Sequence, residues 1–406
     1  MRKWFVVLLW STILLLSLPV NSSAEISSDE LLEILKKKGV ITDQDIEGVK
    51  ESREEETLVK AYRKTKSFGI AGRVQFRYMH MENDSNHDLV TNQKAFDAPE
   101  FDGFVLRRVR VRVQGNVTDN WSYHVQASCD GQENADRIDP DDTDYDYEKD
   151  DTGFKLQDAE INYRLHPYLN IHMGQFKTRF SAAYLTRGPN LPLCERALII
   201  DRIGPPTRDI GISIESEKGK YSFDGREHGM PIYNKPIYYA VGIYNGNGMN
   251  HMRNDNDNFM YTAMLLVRPC KHFNFGTSYA YNKEGHGSAA QDIDYWNVNA
   301  AIDIGRVHVQ GEYISEDPDR GADASGYGIQ GQVDILDNFQ LTARYDELDP
   351  NDTVDNEKDS RWYTVGYNWF IHGQKVKWQL NYTFREEMHG EDVNNDVLIT
   401  HLQLLF

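Results

Sequence analysis

Five arginines in two short stretches carry the most suggestive chemistry in this chain. Arg73 and Arg77 lie in the segment Ile70 to His80; Arg108, Arg110 and Arg112 alternate along Phe104 to Gln114. A guanidinium stays charged at any working pH and presents a planar fork that suits oxyanions. On an extended strand, side chains two residues apart share a face. Two adjacent antiparallel strands would stack these groups on one wall, as a ladder down which an anion could hop. The same residues fit a second arrangement, in which acids across a shared lumen neutralise them. Asp158, Glu160, Asp303, Glu312 and Asp334 are the acids placed to do so. Both arrangements stay open at this level.

Other chemistry is sparse. The sequence has no P-loop, no G-x-S-x-G and no H-E-x-x-H, so neither an enzyme nor a bound cofactor is expected. His80, His87, His124, His166 and His172 lack metal-ligand spacing. Residues 139–151 hold eight carboxylates, and Asp142, Asp144 and Asp146 open like an EF-hand. Tyr147 stands where that loop needs glycine and no glutamate closes it, so a solvated surface loop is expected. Cys129, Cys194 and Cys270 are an odd, scattered set that no disulfide framework explains.

The elements that must position the arginines have a period of two. Val74, Phe76 and Tyr78 oppose Arg73, Gln75 and Arg77; Val105, Val109, Val111 and Val113 oppose Arg108, Arg110, Arg112 and Gln114. Trp121 to Ser128, Asp158 to Leu165 and Val376 to Phe384 alternate in the same way. A soluble sandwich also alternates, but its strands are usually five or six residues long, and these run to about ten. Transmembrane barrels need ~9–11 residues per strand, apolar outward and polar inward. Short turns are expected near residues 118–120, 166–168, 269–272, 305–306, 336–338 and 372–374. Long polar segments at 81–103, 130–153, 178–208, 246–257, 283–292, 316–325, 347–360 and 386–395 separate them. Eight long loops imply sixteen antiparallel strands. Residues 217–235 make an overlong turn, and a further hairpin there would give eighteen. Leu398, Thr400, Leu402, Leu404 and the terminal Phe406 share one face, as in the closing strand of an outer-membrane barrel.

Composition agrees with an all-β chain. Its 406 residues include 23 Tyr, 17 Phe and 30 Gly. A formal net charge of −19 disfavours a nucleic-acid partner, since phosphates need positive surface. Residues 1–24 read as a secretory signal: Arg2 and Lys3, an apolar run from Trp4 to Leu18, then Ser22, Ser23 and Ala24. An uncleaved anchor is the other reading, though the run is short for the ~20 residues of a span. Residues 25–67 suit short helices, either a periplasmic coiled coil between subunits or a solvated arm.

Several segments together resemble the phosphate-selective porins, related to porins O and P of Gram-negative outer membranes. They are Phe68 to Gln75, Leu106 to Arg112, Asp119 to Tyr123, Gly174 to Lys177 with Phe180, Cys194 to Leu198, Arg208 to Gly211, Gly366 to Phe370, Val376 to Tyr382 and the final strand. The resemblance covers residues 68–406. It implies a sixteen-stranded homotrimeric barrel in the outer membrane, among lipid and lipopolysaccharide, passing small anions such as phosphate by diffusion. It implies a pore loop at 178–208 that carries Arg179, Arg187, Arg196, Arg202 and Arg208. It places the family's strand-one arginine on Arg73, its arginine pair on Arg107 and Arg108, and its constriction aspartate on Asp158. Lys177, Arg179 and Arg187 complete the implied pore lining. Two family lysines are replaced, by Ser122 and by Tyr184, which weakens the implication of phosphate binding.

Overall fold

A computed structural model describes Lys37 and residues 66–81, 101–129, 154–217, 236–285, 287, 290–355, 359–389 and 394–406. The expected leader, the expected helical segment up to residue 65 and the acidic loop 139–151 lie outside the described residues.

Sixteen antiparallel strands close one barrel. They are β1 (Ser67–Met81), β2 (Phe101–Asn116), β3 (Trp121–Ser128), β4 (Lys155–His166), β5 (Leu169–Lys177), β6 (Arg208–Glu215), β7 (Ile237–Tyr244) and β8 (Met260–Cys270). The second half holds β9 (Phe273–Glu284), β10 (Gln291–Ile304), β11 (Val307–Pro318), β12 (Ala324–Leu336), β13 (Phe339–Asp349), β14 (Ser360–Gln374), β15 (Val376–Glu387) and β16 (Val397–Leu405). Each strand pairs with its neighbours in sequence, and β16 returns to β1, with Arg73 opposite Leu405 and Met81 opposite Val397. β6 and β7 pair directly, from Gly211 opposite Tyr244 to Glu215 opposite Ala240, which fixes the ring at sixteen rather than eighteen. Closure leaves no unpaired edge, the requirement that hydrocarbon imposes on backbone N–H and C=O groups.

The alternation places apolar side chains outside and polar ones inside. In β16, Leu402 and Leu404 are 44% and 46% exposed, while His401 and Gln403 between them are 1% and 0% exposed. Phe76, Val111, Val125, Ile161, Val241 and Val298 are likewise exposed on the outer wall. So much outward apolar surface suits lipid and not water.

One expected face is corrected. The register of β1 and β2 shifts between Gln75 and Phe76, so that Arg107 is an extra residue in a β-bulge. Beyond it the pleat inverts. Phe104 and Leu106, 73% and 52% exposed, face outward there, and Val105 does not share the face of Val109. The bulge also turns two adjacent guanidiniums, those of Arg107 and Arg108, into the barrel.

The segment between β5 and β6, residues 178–207, folds into the barrel; Arg208, expected in it, begins β6. It contains a short helix α1 (Ala182–Leu185), a 3-10 turn (Gly188–Asn190) and a second short helix α2 (Leu198–Arg202). Ser181 caps α1 by accepting from the Tyr184 N–H at 2.9 Å. The apolar residues of this loop pack against the inner wall. Phe180, Tyr184, Leu198, Ile199, Ile200 and Ile203 cluster with Ala280, Ile293, Tyr295, Ile314, Ala324 and Leu348 of β9 to β13. Ala182 and Leu185 pack on Tyr238, Ala240, Met264, Leu266 and Ala301 of β7, β8 and β10. Gly326 of β12 permits this closeness, because a β-carbon there would stand 2.6 Å from Ile199 Cγ2. The loop thus covers the inner wall along β7 to β13.

Candidate functional site

The open lumen runs between the loop and β1 to β6. Among the described residues it is lined by Arg73, Arg107, Arg108, Arg110, Arg112, Asp158, Lys177, Arg179 and Arg187, with residues 247–251 and the C-terminus. Arg77 is withdrawn behind that surface at 2% exposure.

These cations fall into three groups. In the first, Arg77, Arg107 and Arg108 converge on one carboxylate, that of Glu195 in the loop. Arg77 Nη2 lies 2.7 Å from Glu195 Oε1, Arg107 Nε 2.8 Å from the same oxygen, and Arg108 Nη2 3.2 Å from Oε2. Arg107 Nη2 also donates to Oε2 at 3.3 Å. Burial alone would raise the Glu195 carboxyl; the charges of Arg107, Arg77 and Arg108 outweigh it and hold the group well below the usual carboxylate range. The five acids expected to neutralise the arginine wall make other contacts. Asp158 pairs with Arg208 at 2.9 Å, Glu160 meets His124 and His172, and Asp303 meets His308. Glu312 accepts from the Ala183 N–H at 3.0 Å and Asp334 from Gln340 at 2.8 Å. Sequence reasoning missed Glu195 as a partner. Its only signal was its place in the segment Cys194 to Leu198.

The second group lies along the open wall. Arg73 and Arg110 stand directly opposite each other in register. Like charges so placed on neighbouring strands are destabilising unless other groups meet them. The Arg73 fork reaches the loop beside Gly188. Arg112 donates to Gln126 Oε1 at 2.9 Å, and Gln126 in turn donates to Asp158 at 3.1 Å. Arg187 is exposed on the loop facing the same lumen.

The third group builds the loop. Lys177 donates to the Tyr184 carbonyl at 2.6 Å and its ammonium sits 4.5 Å from the centre of that ring. Arg196 stacks on the same ring at 5.1 Å and donates to the Ala183 and Thr186 carbonyls at 2.6 and 2.8 Å. Arg208 donates to the Tyr184 hydroxyl at 3.0 Å. Tyr184, standing where a family lysine was expected, is therefore the centre of three cations. Arg179 pairs with Glu215, which also accepts from Tyr238 at 2.8 Å. Lys177 and Arg179 thus touch the lumen, but their donors are directed at protein.

The far wall grips the loop backbone. Lys377 donates to the Pro189 and Leu191 carbonyls, both at 2.9 Å. Asn368 donates to Pro192 O at 2.8 Å, Gln403 to Pro189 O at 3.2 Å, and Arg344 to Glu195 O at 2.9 Å. The Cys194 thiol donates to Asn381 Oδ1 at 2.6 Å. Burial pushes that thiol up to about 12. Such a constellation holds the loop backbone against the wall.

Comparison with known proteins agrees with this geometry. The family model for phosphate-selective porin O and P matches residues 81–406. No curated relative matches the sequence significantly. Among solved structures, the chain is similar to the anion-selective porin from Comamonas acidovorans, with a TM-score of 0.56 and 11% identity, covering 84% of this chain and 99% of that one. It is similar to OmpF of Salmonella typhi, solved with daunomycin, at 0.55 and 10%, covering 85% and 99%. The outer-membrane channel DcaP of Acinetobacter baumannii gives 0.55 and 10%, covering 84% and 97%. At such identities these likenesses establish the fold alone.

Proposed function

The chain belongs to the phosphate-selective porin O and P family and is an outer-membrane porin, and from that premise we propose that it passes small anions, phosphate among them, by passive diffusion through an arginine-lined pore. The observation that carries this is the register pair Arg73 and Arg110, continued by Arg112 and faced by Arg187. Low-dielectric walls focus the field of cations in a narrow lumen. Acids in surface loops more than a Debye length of ~8 Å away are largely screened at physiological salt. Location therefore outweighs a net charge of −19. The preference is modest and phosphate affinity weak, because Arg77, Arg107 and Arg108 are already met by Glu195 and Arg208 is met by Asp158. A general, weakly selective porin is the second reading, favoured by the same neutralisation. We further propose that the barrel works as a homotrimer, surrounded by lipid and lipopolysaccharide, with residues 25–67 on the periplasmic side after loss of the leader 1–24.

Reversal potentials in a salt gradient across planar bilayers test the reading. Wild type reverses on the anion side. Arg73→Ala with Arg110→Ala moves the potential toward cations, while neutralising Asp141, Asp142, Asp144 and Asp146 moves it little. A loop variant that shifted selectivity more than the arginine variant would sink the proposal.

A further inference from the structure

Glu195 is a carboxylate that meets three guanidiniums. Its two oxygens take four guanidinium contacts between 2.7 and 3.3 Å from Arg77, Arg107 and Arg108. Arg107 and Arg108 hydrogen-bond to Glu195 and Arg77 adds an ion pair, much as charge-assisted donors would hold a phosphate or sulfate. The strand supplies the site through the bulge at Arg107, which aims two neighbouring side chains at one point. Its occupant is held independently: Arg344 holds the Glu195 carbonyl, Asn381 holds Cys194, and Lys377 holds Pro189 and Leu191. The place remains in reach of the pore, since the Glu195 side chain is 28% exposed and Arg107 and Arg108 line the lumen.

We propose that Glu195 is a tethered counter-ion that fills an oxyanion site built by Arg77, Arg107 and Arg108, and so keeps permeant oxyanions from lodging there. Conduction needs a site attractive enough to enter and weak enough to leave. Three converging guanidiniums without a carboxylate would form a trap. With Glu195 in place, transit is left to Arg73, Arg110, Arg112 and Arg187. The inference rests on the reading of the lumen as an anion path, and its test separates the two.

Full-length channels are reconstituted in planar bilayers in potassium chloride, and inorganic sulfate is added as the probe. Wild-type current is expected to resist sulfate. Glu195→Gln should show block at a sulfate concentration at least about tenfold lower, the scale of one charge-assisted contact. Adding Arg107→Gln to that variant should weaken the block again. A second readout is the heat stability of the folded barrel on denaturing gels. Glu195→Gln should melt earlier than wild type in chloride, and sulfate should restore it while leaving wild type unchanged. Should Glu195→Gln fail to fold, Glu195→Asp keeps the charge but shortens the reach, and should show intermediate block. Equal sulfate block of wild type and folded variant, or equal protection of both by sulfate, overturns the assignment. If wild type reverses on the cation side while Glu195→Gln still gains sulfate block, the anion-path reading falls and the assignment of Glu195 stands.

Discussion

Phe406 closes the barrel on Gly72. The two residues exchange backbone hydrogen bonds, Gly72 N–H to Phe406 O at 2.8 Å and Phe406 N–H to Gly72 O at 3.0 Å. The Phe406 ring lies where a side chain on residue 72 would point: a β-carbon there would stand 2.3 Å from Cζ. The seam between first and last strands thus depends on a missing side chain. Gly72→Val should displace the ring and cost about 1–3 kcal/mol, the usual range for overpacking. The expected outcome is a folded barrel that loses its compact gel mobility at a lower temperature; unchanged heat resistance would show that the ring moves without cost.

Lys377 has a different task. It is 1% exposed inside the barrel and directed at two loop carbonyls. Lys377→Met keeps the bulk and removes this donor from both acceptors, which retain Gln403 and Gln379, at a cost of about 0.5–1.5 kcal/mol for each bond lost. Single-channel records should show higher open-channel noise and a raised mean conductance. A quiet record at wild-type conductance would mean that Asn368, Gln379 and Gln403 hold the loop alone.

The cysteines should separate by labelling. Burial pushes the Cys194 thiol up to about 12, which keeps it protonated at pH 8, and it is 4% exposed. Cys270 is exposed beside the turn between β8 and β9. Maleimide applied to folded channels should label Cys270 and spare Cys194, as read by peptide mass. Equal labelling would contradict a docked loop.

Acid should leave Glu195 charged. A carboxyl held below its ordinary value contributes its stabilisation above an unfolded value of about 4.3 and loses it only as pH falls through the lower folded value. Between pH 7 and about 4 selectivity should therefore stay level as far as Glu195 decides it. A rise in anion preference centred near 4.3 would mean that this carboxyl titrates normally.

Much of this architecture could be read from a period of two. The faces of β1, β3 and β15 follow from alternation alone, and so does the closing strand ending at Phe406. Alternation fails where pairing intervenes. Nothing local to Arg107 marks it as an extra residue; the bulge exists only against Gln75 and Phe76 of β1, and it moved Val105 off its expected face. Arginine types and spacing found the wall but not its partner. Glu195 lies 88 residues from Arg107 and meets it only because α1 and α2 bury their apolar faces on β7 to β13. That burial was illegible for the same reason: inward residues such as Ile293, Ile314 and Leu348 break the polar-inside rule where the loop covers them.

The apolar docking of the loop has an electrical consequence. Four arginines against Glu195 and Asp201 leave residues 178–207 with a net charge of +2. A membrane potential of 100 mV does about 2.3 kcal/mol of work on each charge moved fully across, so at most about 4.6 kcal/mol on this segment. Exposing Leu198, Ile199, Ile200 and Ile203 alone would cost roughly 6–12 kcal/mol. The field loses that contest before any hydrogen bond to Lys377 or Arg344 is counted. Voltage at these magnitudes can tilt the flow of ions but cannot pull the constriction off the wall, so current should rise smoothly through ±100 mV without steps of closure. The pore behaves as a fixed resistor whose bore is set by burial.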